Sequence, residues 1–253
     1  MTTVRQVADF LEEKAPLALK MDFDNVGLLC GFPDAPVHKV LCALDITLDV
    51  IEEAKEMGAE VIVSHHPLIF TPMKQILSTQ PEGKRVISLL QNGISAICMH
   101  TNLDIVTGGV NSVLAEKLGG REVEMLSECG CICELPEAVS SEFFLEICEE
   151  KLNVHDIRYS GSGHSVRRIG VCGGAGGDII EECSAKGCDT VVTGEIHHHQ
   201  WILGKELGMN LIDAGHFATE NVIVPVLCSW IAERFPALDV VTSERQHGFH
   251  QGI

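Results

Sequence analysis

The chain has 253 residues, 45% of them hydrophobic, enough to bury a full core as one large or two small domains. A formal net charge of -18 leaves no lysine and arginine excess to neutralise phosphates, which argues against nucleic acid or an anionic membrane as partner. No uninterrupted apolar run approaches the roughly 20 residues that span a bilayer, so no membrane span is expected.

Met1 to Lys14 alternates polar and apolar residues like an amphipathic helix and lacks the apolar core of a signal peptide. The eleven cysteines therefore read as reduced thiols of a cytoplasmic protein. Asp24-Asn25 reads as turn chemistry running into a short apolar strand, Val26 to Cys30, bounded by Gly31. Val61-Ile62-Val63-Ser64 predicts a buried strand ending on His65-His66-Pro67, where Pro67 turns the chain out and holds His66 extended. Ile94 to Met99 leads in the same way into His100 and Asp104. In the connector that follows, Cys129, Cys131 and Cys133 fall at alternate positions, on one face of a strand. They read as buried thiols, since structural zinc sites favour C-x2-C spacing. Gly173-Gly174-Ala175-Gly176-Gly177 opens a helix without the spacing of a phosphate or dinucleotide loop, which leaves a mobile loop or a close backbone contact between halves or subunits. His197, His198 and His199 fan over about 200° at helical spacing, so one is expected to line a pocket and the others to meet solvent. Leu211 to Gly215 predicts one more strand end, before His216 and Glu220, and His247 and His250 read as a frayed terminus.

His65-His66, His100-x3-Asp104 and His216-x3-Glu220 all stand where strands give way to loops, the edge at which open α/β sheets build sites. Intervals of four residues suit one helical turn. Mixed imidazole and carboxylate donors are the set that holds Zn, Mn or Fe rather than Ca or Mg, and the pattern points to a di-metal hydrolytic centre. For His65-His66 taken alone, a hydrogen-bonded or surface pair competes; Asp104, His216 and Glu220 tip the reading to metal. His100 has two roles open, as a ligand or as a residue behind the ligands that shuttles protons.

Residues 40–64 align without a gap over 169–193, with identities at Asp49/Asp178, Ile51/Ile180, Glu52/Glu181, Glu53/Glu182, Gly58/Gly187 and Val63/Val192. Both stretches predict a βαβ unit, and both continue through a second helix and a strand to a histidine followed four residues later by an acid. The fold class is therefore α/β, with two duplicated halves and mixed, mostly parallel sheets: residues 1–120, a short connector at 121–138, and residues 139–253. Where the first half has Ser64-His65-His66 the second has Thr193-Gly194-Glu195, so a site built from both is asymmetric.

Asp24-Asn25-Val26-Gly27, Ala43-Leu44-Asp45, Ser64-His65-His66-Pro67-Leu68, His100-Thr101-Asn102-Leu103-Asp104, Thr193-Gly194-Glu195 and Gly215-His216-Phe217-Ala218-Thr219-Glu220 together resemble the Nif-three-like family of di-metal proteins, which includes GTP cyclohydrolase I type 2 homologues. The resemblance spans nearly the whole chain. It implies intertwined halves and a ring-shaped homohexamer with metal centres facing an inner cavity. It carries His65, His66, Asp104, His216 and Glu220 over as ligands, with Glu220 bridging. Some members hold a large domain in the middle, where this chain has only its short connector, and the tail from Ser243 onward has no counterpart that can be placed.

Two divalent ions per subunit (Zn, Mn, Fe, Co or Ni) against two carboxylates and three neutral imidazoles leave a surplus of positive charge, which favours a small anionic substrate. The leading expectation is metal-assisted hydrolysis with His100 or Glu195 moving protons; the resemblance suggests a nucleotide such as GTP. A metal-binding scaffold or metal-delivery protein is the rival, and a metal-free protein with structural histidines is a third reading.

Overall fold

The structure is a computed structural model that describes residues 1–248; His250 lies outside the described residues. Contacts divide the chain into two compact units, Met1–Leu103 with Ile223–His247, and Asp104–Val222 with Gly248.

The first unit opens with α1 (Val4–Lys14), which buries Val4, Val7, Phe10 and Leu11 at helical spacing and starts in a capping box between Thr3 and Gln6. Strand β1 (Gly27–Cys30) precedes the run β2 (Lys39–Ala43), α2 (Leu48–Met57), β3 (Val61–Ser64), α3 (Pro81–Gln91) and β4 (Ser95–Cys98), which ends in the single turn α4 (Thr101–Asp104). In the second unit, α5 (Val110–Lys117) leads to the hairpin β5 (Arg121–Met125) and β6 (Cys131–Val139), then α6 (Ser141–Leu152) and β7 (Arg158–Ser160). A second run follows: β8 (Val166–Cys172), α7 (Ile180–Ala185), β9 (Thr190–Thr193), α8 (His198–Glu206), β10 (Asn210–Asp213) and the single turn α9 (His216–Glu220). The chain then re-enters the first unit with α10 (Val224–Arg234) and β11 (Asp239–Thr242).

The duplication extends to strand register. Val40 pairs with Val61 and Ile169 with Thr190, the same positions in the ungapped alignment. Val61 then pairs with Ser95, and Thr190 with Asn210, all in parallel. Each third strand has an antiparallel edge partner, β1 on β4 and β7 on β10. Every residue of β3, β4, β9 and β10 is buried, the pattern of strands covered on both faces. α2 is closed by Thr47 at its N-cap and by Gly58, at φ +73°, in the left-handed conformation that ends helices. Its counterpart α7 has no side-chain N-cap and is entered through a 3-10 turn at Gly177–Ile179, which shortens it.

The sheets run β1-β4-β3-β2-β11 and β5-β6-β8-β9-β10-β7. Both are mixed, as expected of this α/β class. The second has the larger antiparallel share because the connector is itself a hairpin, with β6 antiparallel to β8. Cys131 and Cys133 face the core beside Phe144, Ile169 and Val171, while Cys129 is only partly buried, and all cysteines are free thiols. The continuous second half read from the sequence differs from the contact units, because Asp239–Thr242 pairs in parallel with Lys39–Cys42. A local pattern of β-branched residues specifies a strand but not its partner. The tail has a definite place: buried Glu53 accepts hydrogen bonds from Ser243 Oγ and from the Glu244 amide at 2.8 Å, and Gln246 Oε1 accepts from Leu44 N at 2.6 Å. Among the described residues, no helix is long and apolar enough to cross a membrane.

Candidate metal centre

In the first unit the ends of β3 and β4 bring three imidazoles together. His65, fully buried, follows β3 and donates from Nδ1 to the Met99 carbonyl at 2.8 Å. His66 Nδ1 lies 2.8 Å from Asp45 Oδ1, at the end of β2, and its amide donates to Leu44 O at 2.9 Å. His100 Nδ1 lies 2.9 Å from Asp24 Oδ1. The three rings stand with centroids 5.1, 5.2 and 5.7 Å apart, and one ligand atom from each falls within 4.8 Å of the others. Asp24 is buried, which by itself raises its carboxyl pKa, but hydrogen bonds from His100 and from the Thr101 hydroxyl and amide outweigh burial and hold it well below the usual range. Asn102 fixes the turn by accepting from the His100 amide at 3.0 Å and donating to Ala15 O at 2.7 Å. Phe70 rests edge-on against the His100 ring at 6.1 Å, with Phe23 edge-on to Phe70, and both phenylalanines are exposed.

In the second unit, His216 Nδ1 lies 2.8 Å from Glu195 Oε1 and its Nε2 lies 2.9 Å from Glu220 Oε2. Glu195 occupies the strand-end position that His66 holds in the first copy. Between the end of β10 and His216 the second copy carries one residue more than the first does between the end of β4 and His100, and Gly215, at φ +85°, takes up the turn. Asp213 accepts from Gly215 N at 3.1 Å and Ile196 N at 3.2 Å and pairs with Arg158, so one side chain holds both the Glu195 loop and the entrance to α9. Burial raises the Asp213 carboxyl pKa in spite of these contacts. Glu220 is buried against the glycine-rich loop: a Cβ on Gly174, at φ +62°, would stand 2.2 Å from Glu220 Oε1, and one on Gly173 would stand 3.1 Å from its Cγ. The loop thus makes a close backbone contact within the second unit, not the contact between halves or subunits read from its composition. Asp104 closes α4 half-buried; its carbonyl accepts from Asn111 Nδ2 at 2.9 Å, and Asn111 Oδ1 accepts from Gly173 N at 2.8 Å.

His65, His66 and His100 therefore assemble in one unit, and His216, Glu220 and Glu195 in the other, with Asp104 tied through Asn111 to the loop that covers Glu220. His197, His198 and His199 are all exposed. The buried position at that helix start goes to Gln200, which bonds Asp178 and the His197 amide. Sequence reasoning read Asp24 as turn chemistry, quoted Asp45 only as part of a motif, and did not single out Asn111. Asp45 carried a usable signal, a carboxylate just past an apolar strand, the same feature that singled out the histidines.

An oxygen acceptor at Nδ1 of His65, His66 and His100 assigns the proton to Nδ1 and the lone pair to Nε2, the tautomer of a metal-ligating histidine, whereas His216 has a carboxylate oxygen at both ring nitrogens. The donor set fits a divalent transition metal. Residues 2–248 match the model of the family described as Duf34/NIF3 (NGG1p interacting factor 3). The GTP cyclohydrolase 1 type 2 homolog of Clostridium perfringens (strain 13 / Type A) is 35% identical over 240 residues, 91% of this chain and 92% of that protein. Staphylococcus aureus protein SA1388 superposes with a TM-score of 0.92 at 28% identity, over 100% of this chain and 99% of that one. A Bacillus cereus protein related to NIF3 shares the fold, with a TM-score of 0.91 at 23% identity over 100% and 99% of the two chains. With the family model matched over nearly its whole length, this chain belongs to the Duf34/NIF3 family.

Proposed function

We propose that the protein holds two divalent metal ions (Zn, Mn, Fe, Co or Ni) through His65, His66, Asp104, His216 and Glu220, and uses them as a hydrolase acting on a small anionic, nucleotide-like substrate. The observation that carries this reading is the convergence of His65, His66 and His100, each anchored at Nδ1 by an oxygen so that Nε2 is preset as a metal donor. When bound, the ions supply Lewis acidity toward a carbonyl or phosphoryl oxygen. His100 accepts or returns a proton at Nε2, and the Asp24 carboxylate 2.9 Å from its other nitrogen orients the ring. Glu195 orients His216 as a positioning residue. A nucleotide-like substrate is favoured by the name of the Clostridium perfringens relative, a GTP cyclohydrolase 1 type 2 homolog. A cytoplasmic homohexamer belongs to the same proposal.

Elemental analysis of untagged protein, with turnover assays on GTP and a panel of nucleotides and phosphoesters, tests both parts. About two ions per chain with turnover in that metal is the expected result. Failure to take up metal on reconstitution sinks the metal reading, and two ions without turnover on any substrate sinks the hydrolase. Asp45→Ala is expected to weaken metal binding about 10–100-fold by freeing the His66 ring, read in a chelator competition. An unchanged affinity would remove the anchoring argument.

A further inference from the structure

The thiols of Cys129 and Cys172 lie with their sulfurs 3.5 Å apart in the second unit. The β6–β8 register, with Cys131 opposite Val171, sets Gly130 opposite Cys172 and puts Cys129 one step further on, in the tight turn that Leu126 N closes onto Gly130 O at 3.0 Å. Cys172 is buried, whereas Cys129 is partly exposed and follows the exposed Ser127 and Glu128. The hydrogen bond from Cys172, ahead of the opposing effect of burial, lowers the Cys129 thiol pKa below its ordinary value. Asn111 Nδ2 also approaches Cys129 Sγ at 3.6 Å.

We propose that Cys129 and Cys172 are a redox modification site, oxidised by a hydroperoxide to a disulfide that displaces the Gly173–Gly174 loop from Glu220. The Cys129 thiolate attacks the peroxide, the O–O bond breaks, an alcohol or water leaves, and a sulfenic acid forms. Cys172 sulfur then attacks Cys129 sulfur, the S–O bond breaks, and water leaves with the Cys172 proton. Two thiols lose two electrons and two protons, which reduce the peroxide.

The consequence for the neighbouring side chains follows from the lack of room. A disulfide is about 2.05 Å long, so the sulfurs close by roughly 1.5 Å. Cys172 is joined directly to Gly173, whose amide is held by Asn111, and Asn111 in turn holds the Asp104 carbonyl. No side chain fits between Gly173 or Gly174 and Glu220, so a shift of this loop is passed to the Glu220 carboxylate. This effect on metal rests on the proposed function; formation of the disulfide does not.

The test is peptide mapping under non-reducing conditions after treatment of the reduced full chain with one equivalent of hydrogen peroxide, beside Cys129→Ser and Cys172→Ser. A Cys129–Cys172 linkage and loss of two of the eleven thiols are expected, both abolished in Cys129→Ser, whose partly exposed position makes it the safer of the two variants. Metal affinity of the oxidised wild type is expected to fall about tenfold and to recover with dithiothreitol, while Cys129→Ser shows no change with peroxide. Retention of all thiols, a Cys183–Cys188 or Cys42–Cys228 linkage in place of this one, or Cys129 sulfinic acid without a linkage would overturn the site. If the reduced protein binds no metal, the metal reading fails while the mapped linkage still decides this one.

Discussion

Glu220→Gln is expected to lower divalent-metal affinity by at least about 100-fold, the upper end of what removing a mere supporting partner costs. The substitution keeps side-chain volume, which matters because Glu220 is 5% exposed and pressed against Gly173 and Gly174. It removes the negative charge, and a neutral amide is a far weaker ligand for a hard or borderline cation. The contact with His216, 2.9 Å in the wild type, is one that the isosteric amide is expected to keep. Two readouts separate binding from folding. Saturating metal at roughly 100 times its dissociation constant adds about 2.7 kcal/mol to wild-type stability, and this increment is expected to vanish in Glu220→Gln. The metal-free proteins are expected to unfold within about 1 kcal/mol of each other, as an isosteric exchange allows. Wild-type metal content in the variant would remove Glu220 from the centre.

Glu53→Ala is expected to destabilise the protein by about 3 kcal/mol, although Glu53 lies in none of the proposed chemistry. Its carboxylate is 6% exposed and accepts from Ser243 Oγ, from Glu244 N at 2.8 Å and from Arg245 N at 3.4 Å. Hydrogen bonds to a charged acceptor contribute about 1.5–3 kcal/mol each and are not additive, and the carboxylate's own desolvation offsets part of the sum. Truncation leaves the donors of the returning segment without their acceptor, and that outweighs the relief of burying one charge fewer. At this chain length the midpoint of thermal unfolding should fall by roughly 6–12 °C. Glu56→Ala serves as the control: it pairs with the Arg245 side chain at the exposed surface, where an ion pair contributes about 0–1 kcal/mol. Equal stability of the two variants would show that the tail is not held by Glu53.

The parts of this fold that were legible in the sequence are those set by local pattern. The strand ends before His65, His100 and His216 follow from short apolar stretches, and the repeat survives down to the pairing of Val40 with Val61 and Ile169 with Thr190. The carboxylates behind the histidines were harder to see. Asp24 reaches His100 across 76 positions of sequence, and ordinary turn chemistry accounts for an Asp-Asn pair equally well. The proximity of Cys129 to Cys172 was hidden for the same reason, since β6 and β8 pair across an intervening helix. Alternation did indicate that Cys131 and Cys133 point inward, because burial on one face of a strand is a local property. For β11, Asp239-Val240-Val241-Thr242 announces a strand, yet nothing in those residues favours β2 over any edge of the other sheet.

The return of β11 to β2 has a consequence for the order in which a ribosome delivers this protein. Lys39 to Cys42 emerge early, but the residues that cover their outer edge, Asp239–Thr242, are synthesised two hundred positions later. Until then β2 offers an open row of backbone donors and acceptors, the template on which strands of other chains add. Synthesis at about 5–20 residues per second keeps that edge uncovered for some ten to forty seconds. The second unit, continuous from Asp104 to Val222, has no such wait and can close as soon as it clears the tunnel. The nascent first unit is therefore the stage at which this chain most needs a chaperone.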